Sequence, residues 1–206
     1  MPTEEAPPFD TAPCVPPRRR NVLISDIERL HARDPEALAG FFDATFEGLY
    51  SVAYRLSGNH ATAEDLTQEV FLRVYRAAHT IDPTRDPWPW LMTILHNAFR
   101  DFLRSRSAVQ SRRTVSMDAQ FAATATVADP GDSPEQALLR RERDAKVHGA
   151  IIGLPPDQRT AVLLHSYAGL THAEVASVVG STVVAVRKLH SRATAALGKI
   201  LRRAFE

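Results

Sequence analysis

The sequence of 206 residues has little cysteine and no long apolar run, and each absence excludes a class of protein. A single cysteine, Cys14, rules out a disulfide within the chain and a zinc site built from cysteine pairs, and it is compatible with a reducing cytoplasm. The sequence contains no run of about 18 apolar residues, so no transmembrane helix is predicted. The N-terminus lacks the apolar segment of a signal peptide. We therefore expect a cytoplasmic protein without membrane insertion.

Motifs that carry catalysis are also missing. None of the eight histidines forms a His-x-x-x-His pair, and no glycine-rich phosphate loop occurs. The sequence therefore predicts no metal site, no cofactor and no enzymatic activity. The net charge of +1 says little about partners, so only the distribution of charge along the chain can identify them.

Proline content and apolar spacing divide the chain into segments. Six prolines within the first twenty residues predict a disordered tail over 1–21. Apolar residues at three- and four-residue spacing fill 22–106 and 134–206, whereas 107–133 has no sustained period and predicts a linker. Alternation typical of strands is absent. The sequence therefore predicts an all-α fold of two small helical domains joined by a flexible linker, the second containing a helix-turn-helix.

Local signals place the helices of the first domain. Asp34, followed by Pro35, is typical of a cap and a first helical position, and the helix after it carries a wide apolar stripe that ends before Gly58. Two further helices are predicted over about 61–78 and 89–106. The first domain is thus expected to be a small helical bundle.

The second domain contains two helices joined at Gly180, which predict the helix-turn-helix. Thr171 and Glu174 have the spacing of a capping box, and Gly180 permits the left-handed turn after the first helix. The second helix, from Ser181 to Phe205, carries six cations and no acid, so it favours an anionic partner. A solvated helix end that complements the helix dipole is the alternative, which explains the cations of the last turns only.

Three of the cations, Arg187, Lys188 and Arg192, lie in the first turns of that helix and are predicted to contact DNA. A helix-turn-helix places its second helix in the major groove with the N-terminal half towards the bases. The charge and the motif therefore predict the same partner.

Two helices of the first domain carry unusual residues. Three acids, Glu64, Asp65 and Glu69, lie within two turns; dipole complementation accounts for the first two, and no nucleophile or metal ligands accompany them as catalysis would need. The next helix mixes aromatic and cationic residues: Trp88, Trp90, His96, Phe99, Arg100, Phe102, Arg104 and Arg106. Aromatic rings stack on unpaired bases and cations hold phosphates, so this helix is predicted to contact single-stranded nucleic acid, with a core position as the alternative for Trp90.

Three segments carry a resemblance to a known family: AEDLTQEVFLRVYR at 63–76, WLMTILHNAFRDFLR at 90–104 and LPPDQRTAVLLHSYAGLTHAEVASVVG at 154–180. In their order and spacing the chain resembles the extracytoplasmic-function (ECF) sigma factors of bacterial RNA polymerase. The resemblance implies that the first domain binds the clamp helices of the largest subunit of core RNA polymerase and recognises the −10 promoter element. It implies that the second domain recognises the −35 element, and that promoter DNA and an anti-sigma factor are partners.

The resemblance also implies three sets of contact residues. Contacts to core polymerase fall on Asp65, Leu66, Gln68, Glu69 and Phe71. Contacts to the −10 element fall on Trp90, His96, Asn97, Arg100, Asp101 and Arg104. Contacts to the −35 element fall on Thr182, Arg187, Lys188, Ser191 and Arg192.

The chain departs from the family pattern at a few positions. Residues 184–186 are Val-Ala-Val where Gly-Thr-Val is usual, Leu189 replaces an arginine, and His96 stands where arginine is favoured. His190 occupies an expected apolar position, either as a boundary residue whose ring nitrogen pairs with a carbonyl or as a pH-sensitive packing defect. Two rival functions therefore stay open: a helix-turn-helix regulator that acts without polymerase, and a sigma-like interaction protein with impaired −35 recognition.

Overall fold

The computed structural model describes residues 24–82, 84–110 and 134–205, and every statement on structure below concerns these residues. The helices are α1 (Ile24–His31), α2 (Pro35–Ser57), α3 (His60–Ala77), α4 (Trp88–Gln110), α5 (Pro134–Ile152), α6 (Pro156–Val162), α7 (His172–Val179) and α8 (Val183–Phe205). A 3-10 turn at Ala78–Thr80 follows α3, and a π-helical turn at Leu163–Tyr167 follows α6. The described residues contain no strand, so the all-α prediction is confirmed. The predicted tail and residues 111–133 of the predicted linker lie outside them.

Capping groups set the ends of α2 and α3. The Asp34 carboxylate accepts the N–H groups of Glu36 and Ala37 at 2.9 and 3.1 Å, as the sequence predicts. Gly58 ends α2 with φ of 72°, and a Cβ at that position would lie 2.8 Å from the Cδ1 atom of Ile152. The turn therefore needs glycine both for its backbone conformation and for its packing.

The bounds of α3 and α4 differ from the prediction. The α3 helix begins at His60, because Asn59 caps it by accepting the N–H of Thr62 at 3.0 Å. The α4 helix runs to Gln110, beyond the predicted end at Arg106. No proline or glycine interrupts residues 107–110, so the helix continues past the last residue of the apolar stripe.

The helices form an N-terminal unit, α1–α4, and a C-terminal unit, α5–α8, which pack against each other around one continuous hydrophobic core. The indole Nε1–H of Trp88 donates to the carbonyl of Ala168 at 2.9 Å, where α4 meets the loop before α7. The Arg55 guanidinium lies 4.5 Å from the ring centroid of Tyr167. Hydrogen bonds and aromatic contacts thus supplement the apolar packing between the units.

Arg159 of α6 connects the ends of two helices. Its guanidinium donates to the carbonyls of Leu56 at 2.7 Å and Leu154 at 3.2 Å, and also to the carbonyl of Ile152. Leu56 lies in the last turn of α2, and Ile152 is the last residue of α5. Carbonyls at helix C-termini have no partner within their helix and carry the negative end of the dipole, so a buried cation satisfies them. Burial lowers the pKa of Arg159.

His148 of α5 is buried against the N-terminal unit. Its ring stacks on Tyr54 of α2 with centroids 4.6 Å apart, and its Nδ1 atom has no hydrogen-bond partner among the described residues. Burial, and then the nearby charges of Arg55, Arg159 and His60, lower the pKa of His148 to about 4. This ring is therefore neutral near pH 7.

None of the helices within the described ranges combines the length and apolar character that crossing a membrane requires.

Candidate polymerase and nucleic-acid interfaces

The acidic side of α3 lies at the surface. Asp65 and Gln68 are exposed and Glu69 is half-buried. A carboxylate oxygen of Glu69 accepts from the Arg73 guanidinium at 2.7 Å, and the same guanidinium lies 3.8 Å from the carboxylate of Asp101 on α4. This chain of charges joins the predicted polymerase-contact surface of α3 to the predicted −10 surface of α4.

Leu66 does not belong to that surface. Only 5% of this residue is exposed, because it is part of the apolar side of α3 that faces the core. A partner cannot contact this side chain while α3 stays packed. Leu66 packs as a core residue, which speaks against the predicted polymerase contact at this position.

Three phenylalanine rings form an aromatic cluster beside the acids of α3. Phe71 is half-buried, and its ring centroid lies 4.4 Å from that of Phe42, which lies 5.0 Å from that of Phe46. Phe42 and Phe46 on α2 are each 40% exposed. Neither of these exposed rings was predicted from the sequence to belong to a contact surface. The signal was the adjacent pair Phe41 and Phe42, since neighbouring residues of a helix point about 100° apart, and in this pair only Phe41 is buried.

The predicted −10 contacts divide into an exposed face and two packed positions. Asn97, Arg100, Asp101 and Arg104 are exposed and share one face of α4 at three- and four-residue spacing. Asp101 accepts from Arg104 at 3.3 Å. Trp90 is half-buried and packs against the core, as its alternative interpretation expected.

His96 faces the C-terminal unit, which speaks against the prediction that it contacts the −10 element. Only 5% of the residue is exposed, and neither ring nitrogen has a hydrogen-bond partner among the described residues. Burial, and then the cation of Arg100, lower the pKa of His96 to about 4, and the carboxylate of Asp157 on α6 offsets part of this shift. A neutral, buried imidazole contributes no phosphate contact.

The helix-turn-helix forms as the sequence predicts. The Thr171 hydroxyl accepts the N–H of Glu174 at 3.2 Å, and the Glu174 carboxylate accepts the N–H of Thr171 at 2.7 Å. Gly180 ends α7 with φ of 66°. Val186 and Ala193 of α8 are fully buried, so they fix which side of this helix points outwards.

The predicted −35 contacts lie at the N-cap and on the outward side of α8. All five are exposed: Thr182 at the cap, and Arg187, Lys188, Ser191 and Arg192 within the helix. Thr182 also caps the helix, because its hydroxyl accepts the N–H of Ala185 at 3.2 Å. Val184, which sequence reasoning treated only as a departure from the family, shares this face and is 62% exposed.

His190 lies at the edge of the buried stripe of α8. Its Nε2 atom is 3.0 Å from the hydroxyl of Ser166, so its polar partner is a hydroxyl rather than the carbonyl that one interpretation expected. Its ring meets the rings of His165 and His172 edge-on. Burial, and then these two histidines, lower the pKa of His190.

Two segments of the chain match one known family. Residues 41–109 match Sigma-70 region 2, and residues 144–197 match Sigma-70, region 4. The chain is 36% identical over 141 residues to the RNA polymerase sigma-H factor of Pseudomonas aeruginosa, covering 68% of this chain and 72% of that protein. It is 33% identical over 181 residues to the ECF RNA polymerase sigma factor BldN of Streptomyces coelicolor, covering 87% of this chain and 66% of that protein. The chain belongs to the ECF sigma factors.

A solved structure supports the fold of this ECF sigma factor. RpoE of Bartonella quintana, in complex with the anti-sigma factor NepR, is 24% identical and has a TM-score of 0.65, covering 80% of this chain and 96% of that one. Several curated relatives are longer proteins, and the chain spans 45%, 66% and 51% of the length of three of them. Region 2 contains α3, most of α2 and all but the last residue of α4, and region 4 contains α6, α7, the C-terminal part of α5 and most of α8.

Proposed function

We propose that this ECF sigma factor is a transcription initiation subunit without catalytic activity of its own, and that it acts in the cytoplasm. It binds core RNA polymerase through region 2, directs it to promoters with −10 and −35 elements, and helps to melt the −10 region. The observation that carries the proposal is the presence of region 2 and region 4 in one chain, with the predicted contact side chains other than Leu66, Trp90 and His96 at or near the surface. A regulator that acts without polymerase has no use for the first of these regions.

The surface for core polymerase consists of Asp65, Gln68 and Glu69 together with the aromatic cluster of Phe42, Phe46 and Phe71. Carboxylates steer the encounter with the clamp helices, and partly exposed aromatic rings supply apolar area that a partner can bury. The clamp helices are expected to present cations and apolar side chains opposite this surface. The acids alone would give a weak contact, because exposed ion pairs contribute little.

Glu69→Lys is expected to weaken binding to core polymerase at least about tenfold, or about 1.4 kcal/mol. The new cation removes the pairing with Arg73 and repels a basic partner. Size-exclusion co-elution and a titration with labelled core polymerase measure the effect. Glu142→Lys, which reverses an exposed acid of α5, is the control and should bind as the unmodified protein does. Equal binding by both variants would contradict this assignment.

The surface for the −10 element consists of Asn97, Arg100, Asp101 and Arg104. Extruding a base from the duplex costs a few kcal/mol, which contacts to the captured base and to the flanking phosphates have to offset. Arg100 and Arg104 suit the phosphates, and Asn97 and Asp101 offer polar atoms to a base edge. His96 is not included, because it is buried between the units.

The surface for the −35 element is the outward face of α8. Arginine binds guanine edges bidentately, and an apolar side chain can contact the methyl group of thymine, so Arg187 and Val184 are the proposed base contacts. Lys188 and Arg192 suit phosphates. The exposed cationic face speaks against the rival in which this region no longer recognises DNA.

Arg187→Ala is expected to weaken binding to the −35 element by about 1–3 kcal/mol and to relax the base preference at one position. Fluorescence anisotropy with a matched and a base-substituted duplex, at constant salt, measures both effects. Arg143→Ala removes an exposed cation of α5 and serves as the control. If Arg187→Ala weakens binding to the matched and the base-substituted duplex equally, Arg187 contacts a phosphate and not a base.

An anti-sigma factor is a further proposed partner. RpoE of Bartonella quintana was solved with the anti-sigma factor NepR, and CnrH was solved with the cytosolic domain of CnrY. The partly exposed aromatic cluster of α2 and α3 offers such a protein an apolar docking surface. Competition between core polymerase and an anti-sigma factor for this surface would keep the protein inactive.

A further inference from the structure

Three histidines of region 4 meet at one point. His165 lies in the π-helical turn, His172 is the first residue of α7, and His190 lies within α8. One ring nitrogen from each lies within 4.8 Å of those from the other two, and all three residues are half-buried. The ring centroids of His165 and His172 are 3.9 Å apart, and His190 lies edge-on to both, at 4.7 and 5.3 Å.

The His165 ring is held as a metal ligand would be. Its Nδ1 atom is 2.7 Å from the carbonyl oxygen of Leu170, and since a carbonyl can only accept, Nδ1 carries the proton and Nε2 keeps a free lone pair. Metal-bound histidines almost always donate their other ring N–H in this way, which fixes the tautomer and the ring orientation. The His190 ring is held in turn by the hydroxyl of Ser166.

The donor set and its spacing suit a small divalent ion. Three imidazoles with water in the fourth position form a known zinc coordination set. Zinc–nitrogen bonds of about 2.0–2.1 Å place tetrahedral donors about 3.4 Å apart, so the three rings have to close by roughly 1 Å, which side-chain rotation allows. The positive charge of Arg187 opposes the binding of a cation here, since it contributes to lowering the pKa of His172. Its exposed guanidinium can, however, turn towards solvent.

We propose that His165, His172 and His190 form a binding site for one divalent transition-metal ion, and that Zn²⁺ fits the site. A bound ion ties together the π-helical turn, α7 and α8, the three elements that set the direction of the DNA-contacting helix. Arg187 lies one turn before His190, so an occupied site holds the proposed −35 contact in place. That last consequence rests on the proposed function, whereas the metal site does not.

Calorimetric titration of the untagged full-length protein with Zn²⁺ tests the site. The expected result is one ion per chain and a rise in Tm with Zn²⁺. His172→Gln removes a ligand but spares the capping box of Thr171 and Glu174. It is expected to weaken Zn²⁺ binding by more than about 100-fold, because losing a direct ligand should cost more than losing a residue that only orients a ligand. His79→Gln, at an exposed histidine outside the cluster, is the control and should bind normally.

Two results would overturn the proposal: no binding of micromolar Zn²⁺ by the folded protein, or equal binding by His172→Gln and the unmodified chain. Circular dichroism checks that the variant is folded. Co²⁺ in place of Zn²⁺ should give the visible absorption of a nitrogen-ligated ion, and this band should be lost in His172→Gln. Because these measurements involve neither polymerase nor DNA, a failure here leaves the proposed function untouched.

Discussion

Replacing Arg159 by methionine is expected to lower the free energy of unfolding by about 3 kcal/mol or more. The guanidinium donates to carbonyls of Leu56, Ile152 and Leu154, and hydrogen bonds from a charged donor contribute about 1.5–3 kcal/mol each. Methionine preserves much of the apolar stem but leaves these carbonyls without a donor. Since Leu56 belongs to the N-terminal unit and the other two to the C-terminal unit, the loss also weakens the packing between the units.

Urea denaturation monitored by circular dichroism measures this effect. Arg143→Met, at an exposed arginine of α5, is the matched control and should change the free energy of unfolding by less than about 0.5 kcal/mol. Arg159→Lys keeps the charge but not the planar fork of donors, so it should restore only part of the stability. A loss below 1 kcal/mol in Arg159→Met would contradict the connecting role assigned to this side chain.

Lowering the pH from 7 to 5 is expected to destabilise the protein by about 4 kcal/mol through two buried histidines. The pKa values of His96 and His148 are lowered from 6.5 to about 4, so the unfolded chain takes up protons before the folded one does. Their contribution to stability is complete above pH 6.5 and is lost as the pH falls from there towards 4. At pH 5 each histidine accounts for about 2 kcal/mol of the loss.

The variant His96→Leu/His148→Phe separates this effect from other titrations. Its stability should change by about 4 kcal/mol less than that of the unmodified protein between pH 7 and pH 5. His79→Gln, at an exposed histidine, should keep the full pH dependence. Because both buried rings lie where the two units meet, small-angle scattering should also show expansion on acidification in the unmodified protein. An identical pH dependence in the double variant would show that these histidines are not the cause.

Features set by neighbouring residues were predictable from sequence. The cap at Asp34, the capping box at Thr171 and the turn at Gly180 each depend on a few consecutive residues, and the structure has all three. The inward stripe of α8 also follows the helical period, with Val186 and Ala193 buried. Such features need no knowledge of how distant parts of the chain pack.

Features that depend on packing between helices were not predictable. Leu66 of α3 is buried and Phe42 and Phe46 of α2 are partly exposed, because the packing between helices decides which side of each apolar stripe meets the core. His96 is buried by the C-terminal unit, which no pattern within α4 reveals. The cluster of His165, His172 and His190 is brought together by a turn and two helices, so a search for ligand pairs at helical spacing passes over it.

The central claim is that this chain makes core RNA polymerase initiate at specific sites, and in vitro transcription tests it most directly. Purified protein and bacterial core polymerase are combined with fragmented genomic DNA, and the 5′ ends of the transcripts are mapped. We expect discrete start sites that share two upstream elements and require the added protein. These start sites should be lost with Glu69→Lys and shifted or weakened with Arg187→Ala. If the transcripts are the same with and without the protein, and the protein does not co-elute with core polymerase, the chain does not direct initiation.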